Sequence, residues 1–264
     1  MAKPRLLNTH SKKWESYKLF LYVLPCLIFI FIFKYLPLWG WSYAFFQYKP
    51  GRDLFKCAFV GLQNFTALFG NAVMRNNLLR VLRNTFGIQI LNYLLMPVPM
   101  LFAIFLSEIK STKFQKAVQT LTTLPHFISW VIMFSLATSL FGNSGVVNAV
   151  LKNFGAEGIN ILTSDQHVWL IQSLLALWKS LGWSAIIYFA AITGLDQEVY
   201  EAAMVDGASR WQKIRYITIP LLIPTFFVLL IMGIGNFLNS GIDQFLAFGN
   251  AMNKEYIEVL DLYV

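Results

Sequence analysis

Two features of the 264-residue chain could do chemistry that its apolar bulk cannot. The first is EVYEAAMVDGASRWQKIRYITIP, residues 198–220, lying between two long apolar runs. With Asp196 just before it, the stretch carries four acidic side chains (Asp196, Glu198, Glu201, Asp206) and three basic ones (Arg210, Lys213, Arg215). The chemistry it offers is docking. Asp196 can cap a helix start, and Glu198 in the first turn suits the positive end of the helix dipole. VYEAAMV favours a short helix. Gly207 is placed to end it with a left-handed residue, and Ser209 can cap a second helix leading to Pro220. Ala202 and Ala203 leave a face of little bulk that another surface can approach closely, with the Glu201 charge beside it. A helix of two turns has little stability alone, so it needs something to dock against.

The second feature is Lys179, inside a run that is otherwise uncharged from about 168 to 192. A lysine at that depth is costly in lipid. It must face a wet cavity, snorkel, or pair with a carboxylate on a partner chain. His126, in LPHFISW, could relay a proton, but capping or bonding near the start of an apolar run is the simpler reading. The other chemistries find no support. The three histidines are scattered, Cys26 and Cys57 are too few for a disulfide framework or a metal site, and no G-x-x-x-x-G-K-S/T phosphate loop exists.

These features must be positioned by membrane helices. The chain is 57% hydrophobic and 13% charged, against roughly 45–50% and about 25% in soluble domains. The net charge of +8 does not point to nucleic acid, because the basic residues sit at the ends of apolar runs as topology signals do. About 20 apolar residues cross a bilayer. Five spans are predicted, at about 17–46, 84–107, 119–140, 168–192 and 217–238, after an N-terminal tail at 1–16. No cleavage site follows the first run, which reads as a retained span. Lys34 interrupts it beside an aromatic belt (Tyr35, Trp39, Trp41, Tyr43).

Orientation follows the lysines and arginines. Lys3, Arg5, Lys12, Lys13 and Lys18 place the N-terminus inside, Lys110, Lys113 and Lys116 place the loop after the second span inside, and the loop at 194–216 also falls inside. One stretch disagrees: residues 47–83 should be external, yet hold Lys49, Arg52, Lys56, Arg75, Arg80 and Arg83. After the fifth span, NKEYIEVLDLYV is amphipathic and acidic and reads as the approach to a sixth, so the C-terminus is expected to be incomplete.

Glu201-Ala202-Ala203, three residues, Gly207, nine residues and then Ile217-Thr218-Ile219-Pro220 resembles the EAA signature of ABC importer permeases, with Ile219 where leucine is usual. FKYLPLWGWSYAFFQYKPG, VGLQNF, RNTFG, LPHFISWV and WKSLGWSAIIYFAAITGLDQEVYEAAMVDGASRWQKI extend the likeness over nearly the whole chain, to permeases for complex carbohydrates within the maltose-permease-like group. The resemblance implies an all-α polytopic membrane protein of the MetI-like permease fold, five of its six spans being present. It implies a transport subunit with no catalytic residue, metal or cofactor of its own. ATP and Mg²⁺ would be used by two copies of a partner ATPase. A second homologous permease and an extracellular sugar-binding lipoprotein would complete the assembly in the bacterial plasma membrane.

Carried onto this sequence, Glu201, Ala202, Ala203 and Gly207 are coupling elements, with Asp206 and Arg210 at the rim of the ATPase cleft. The sugar path needs polar groups and aromatic faces. Gln89, Asn92, Tyr93, Trp178, Lys179, Trp183, Tyr188, Asn236 and Asn239 are its candidates, and Asp243 could face the extracellular mouth. Pro97, Pro99, Pro220 and Pro224 should bend their helices, either as fixed kinks or as joints for rocking. An ion-coupled transporter would need carboxylates in the spans, which hold none. A membrane enzyme would need a paired metal or nucleophile motif, also lacking.

Overall fold

A computed structural model describes residues 9–159, 161, 162, 164, 165 and 167–263. The N-terminal basic residues Lys3 and Arg5 lie outside the described residues. The chain divides into two compact units, Met1–Arg75 and Asn76–Val264. Among the described residues the regular structure is helical, and the β pairing is one isolated antiparallel bridge, Phe46 to Phe59.

In the first unit α1 (Thr9–Ile30) runs into a wide π turn (Phe31–Tyr35) and a 3-10 stretch (Leu36–Phe45). Pro37 explains the wide turn: it has no N–H, and its ring crowds the carbonyl four residues back. A compact loop follows. Gln47 N–H donates to Ala58 O (2.9 Å), and the Asn64 side chain donates to Ala44 O (2.9 Å). The helix α2 (Gln63–Gly70) ends this loop.

In the second unit α3 (Ala72–Leu95) stops where Pro97 begins α4 (Pro97–Ser107), since neither Pro97 nor Pro99 can donate to the helical ladder. The amphipathic α5 (Thr112–Thr123), capped by Ser111, leads into a 3-10 turn at Leu124–Phe127, and α6 (Trp130–Phe141) starts afresh under a Ser129 cap. The continuous span expected over about 119–140 is therefore interrupted. Pro125 stands at the break, α5 lies outside the long apolar stretches, and the third of these runs from Trp130 to Asn153 instead of about 119–140. Then come α7 (Val146–Asn153), α8 (Val168–Thr193), α9 (Gln197–Val205), α10 (Arg210–Lys213), a second π turn (Ile214–Thr218) just before Pro220, and α11 (Ile219–Ile234). Three short helices follow: α12 (Ile242–Phe248), α13 (Lys254–Ile257) and α14 (Leu260–Tyr263).

Among the described residues, five stretches are long and apolar enough to cross a membrane: Tyr17–Phe45, Ala72–Ser107, Trp130–Asn153, Val168–Thr193 and Arg210–Ile234. Together with the apolar composition this makes the chain a multi-pass membrane protein. The long helix α8 is the spine of the second unit. Its first half joins a core of Ile88, Ala137, Phe245, Phe248 and Ile257; its second half, through Ala185 and Tyr188, joins Ala103, Ile104 and Leu222.

Where α8 begins, the short helices α12–α14 are held by buried polar groups. The Asn84 side chain donates to Glu255 O (2.8 Å) and Glu258 O (3.0 Å), and Leu260 N–H donates to the Thr85 hydroxyl (2.9 Å). Gln244 donates to Gln172 O (2.8 Å), and Trp169 to Tyr256 O (3.0 Å). Arg80 forms an ion pair with Glu258, both mostly buried, and Arg83 lies over the Trp169 and Tyr256 rings. Gly87 is required here, because any Cβ would collide with the Trp169 ring.

Candidate functional site

The docking stretch folds as its residues dictate. The Asp196 carboxylate accepts from Glu198 N–H (3.0 Å) and starts α9. Gly207 has φ +74°, and the paired bonds Ala208 N–H to Ala203 O (2.9 Å) and Gly207 N–H to Met204 O (3.1 Å) close the helix end. Nothing lies within 4 Å of a Cβ built on Gly207, so backbone conformation and not crowding selects glycine. Ser209 and Gln212 form a reciprocal capping box that opens α10.

Glu201, Ala202, Asp206 and Gly207 are exposed and Ala203 is half-buried. Beside them Val205 (89% exposed), Met204 (55%) and Trp211 (61%) are bare apolar side chains. Arg210 is exposed and also bonds within its own chain. Its Nε lies 3.5 Å from Glu108 Oε2 and its Nη2 donates to Glu108 O (3.4 Å), so it ties α10 to the end of α4. The pair is largely solvated and contributes at most about 1 kcal/mol. Sequence reasoning missed Tyr200, whose hydroxyl meets the Thr218 hydroxyl at 2.9 Å and anchors α9 on the π turn. The signal was Thr218 inside the ITIP segment of the signature.

A cavity of about 450 Å³ opens between the α3–α4 kink, α8 and α11, within the roughly 300–1,000 Å³ usual for small-molecule sites. Asn92, Trp183 and Tyr188 line it, with Ser173, Ser180 and Ser184 from the same face of α8. Tyr188 is 2% exposed, and its hydroxyl is, among the described residues, the buried side-chain polar atom without a hydrogen-bond partner.

The other path candidates do not line this cavity. Gln89 donates to Asn239 O (3.4 Å) and Ser240 Oγ (3.3 Å) and accepts from Asn92 (3.4 Å), which ties α3 to the turn after α11. Tyr93 stacks on Phe237 with centroids 5.7 Å apart and packs against Gly233. Asn236 turns back to Met232 O (3.1 Å). Trp178 is exposed.

Lys179 is satisfied within its own chain. Its ammonium donates to Pro125 O (3.1 Å), His126 O (2.8 Å) and Ile128 O, and lies 5.4 Å from the centre of the Trp130 ring. Among the described residues no carboxylate lies within ion-pair distance of it. It does border a second cavity of about 600 Å³, together with Trp130 and Asp243. The His126 ring stacks on Trp183, centroids 4.5 Å apart and planes within 1°, while its carbonyl accepts from Lys179. Among the described residues no group of three or more His, Cys, Asp or Glu side chains is placed to hold a metal.

Residues 88–242 match the family described as binding-protein-dependent transport system inner membrane component. The chain is 39% identical to the polygalacturonan/rhamnogalacturonan transport system permease protein YteP of Bacillus subtilis (strain 168), over 93% of this chain and 76% of that protein. It is 31% identical to the arabinooligosaccharides transport system permease protein AraP of the same organism, over 86% and 70%. A solved bacterial ABC transporter involved in the import of the acidic polysaccharide alginate superposes with a TM-score of 0.80 at 33% identity, over 98% of this chain and 86% of that one. In a related structure the alginate transporter is in complex with an alginate pentasaccharide-bound periplasmic protein. The match of family, relatives and fold leads to one assignment: the chain belongs to the binding-protein-dependent transport system inner membrane components, the permease subunits of ABC importers.

Proposed function

We propose that this permease moves oligosaccharides or other complex carbohydrates into the cell, using ATP hydrolysed on a separate subunit. The observation that carries the reading is α9: a two-turn helix with the EAA pattern, capped at both ends, its acidic side chains and Ala202 exposed beside bare Val205 and Trp211. Such a helix presents a face to a partner and holds little stability without one. In this reading Glu201, Ala202, Ala203, Asp206 and Gly207 contact an ABC ATPase present in two copies. A second homologous permease completes the pathway, and a sugar-binding lipoprotein delivers the substrate. ATP and Mg²⁺ act on the ATPase, and this chain holds no cofactor. The carbohydrate class rests on the relatives' substrates and on the lining of the 450 Å³ cavity, where Trp183 offers a flat face for sugar C–H groups and Asn92, Tyr188 and three serines match hydroxyls.

The N-terminus lies inside in this reading, which puts α9 in the cytoplasm. Of the positive charges that argue otherwise, Arg80 pairs with Glu258 and Arg83 lies over two aromatic rings. The test is co-purification of the permease with an ATPase, followed by sugar-dependent ATP hydrolysis in liposomes. Glu201→Ala should lose coupling. Full coupling in that variant would refute the assignment of α9.

A further inference from the structure

Two of the sequence motifs, LPHFISWV and WKSLGWSA, meet in the structure. Lys179, Gly182 and Trp183 stand at i, i+3 and i+4 on one face of α8. Each receives a different part of the chain from the end of α5 to the start of α6. Lys179 takes the carbonyls of Pro125, His126 and Ile128. Gly182 lets the backbone of Thr122 and Thr123 approach so closely that any Cβ would overlap it. Trp183 takes the His126 ring face to face, with Phe127 edge-on at 5.8 Å.

A helix broken inside a membrane leaves carbonyls that lipid cannot satisfy. Membrane proteins meet this elsewhere by binding a cation at the unwound carbonyls. Here the chain supplies the cation itself: an ammonium has three donors and no acceptor, and three carbonyls receive them. His126 gives its carbonyl to Lys179 and its ring to Trp183. The ammonium therefore fixes the residue that fixes the indole.

We propose that Lys179 is a positioning residue for transport: it clamps the break between α5 and α6 as a tethered cation, and through His126 holds Trp183 as a rigid platform for a sugar ring in the 450 Å³ cavity. The platform part rests on the carbohydrate reading above; the clamp does not.

The test uses the assembled importer in nanodiscs, with 5-fluorotryptophan incorporated and the Trp183 fluorine line assigned by its loss in Trp183→Phe. Lys179→Met should shift or broaden that line. It should also raise the half-saturating concentration for uptake of an oligogalacturonate mixture, used as the probe, about three- to tenfold, the range that one aromatic contact carries. Maximal rate and ATPase association should be retained. Lys179→Arg should keep the line near its original position, because guanidinium also donates to carbonyls. Lys179→Ala should move it, and added n-propylammonium should return it by refilling the carbonyl cluster. If Lys179→Met does not accumulate, the alanine variant with and without the amine decides. A Trp183 line unmoved in either variant, or no return on adding the amine, overturns the clamp. If the line responds as expected while Trp183→Ala leaves uptake unchanged, the clamp stands and the sugar platform fails.

Discussion

The two ends of α8 are built on opposite principles. Where it begins, at Val168, polar side chains are pulled out of solvent and matched. Asn84 and Thr85 are fully buried and bonded, Gln172 and Gln244 bond each other, and Arg80 and Glu258 neutralise one another. Where it ends, at Thr193, the chain passes into α9 and α10: α9 is held by its caps and by one tyrosine–threonine bond, and α10 by a solvated ion pair. Buried groups left unpaired cost far more than exposed ones, so the first end tolerates one arrangement only. The second end leaves Glu201, Val205 and Trp211 uncommitted. The difference separates an end that holds shape from an end that waits for a partner.

That contrast can be broken in order of expected effect. Arg80→Ala strands the Glu258 carboxylate in a mostly buried site and should destabilise by about 3–5 kcal/mol. It would be read as a fall in the thermal midpoint of the detergent-solubilised protein, and exchanging the two charges (Arg80→Glu with Glu258→Arg) should recover part of it. Gly182→Ala forces a methyl into the Thr122 backbone and should cost about 1–3 kcal/mol in the same assay. Gly207→Val places a branched residue at positive φ, costing about 1–2 kcal/mol, and its clearer effect should be lost ATPase co-purification. Glu201→Ala should change stability by no more than about 0.5 kcal/mol while uncoupling transport. A large stability loss in that last variant would contradict the contrast between the two ends.

The local features of the docking stretch were legible in the sequence because caps and left-handed glycines depend on neighbours a few residues away. Asp196, Gly207 and Ser209 all sit as read. The partners of Lys179 were not legible. The sequence states that a lysine at that depth needs a partner, but its carbonyls come from 51 to 54 positions upstream, and carbonyls carry no residue-specific mark. The division of the third span was half visible: Pro125 was in plain sight, yet the apolar average across it hid the break. Among the path candidates, residue type was a poor guide. Asn92, Trp183 and Tyr188 reach the cavity, whereas Gln89 and Asn239 serve to tie one segment to another.

The π turn at Ile214–Thr218 has a consequence for phase. One extra residue in a helix of 3.6 residues per turn rotates everything beyond it by about 100° while adding only about 1.5 Å of length. Side chains on α10 therefore point about a quarter-turn away from the faces that α11 would assign them by simple periodicity. Removing one residue from the turn would keep the helix nearly as long but swing the α9–α10 arm around the axis of α11, so the wide turn sets the azimuth at which the permease offers its docking face.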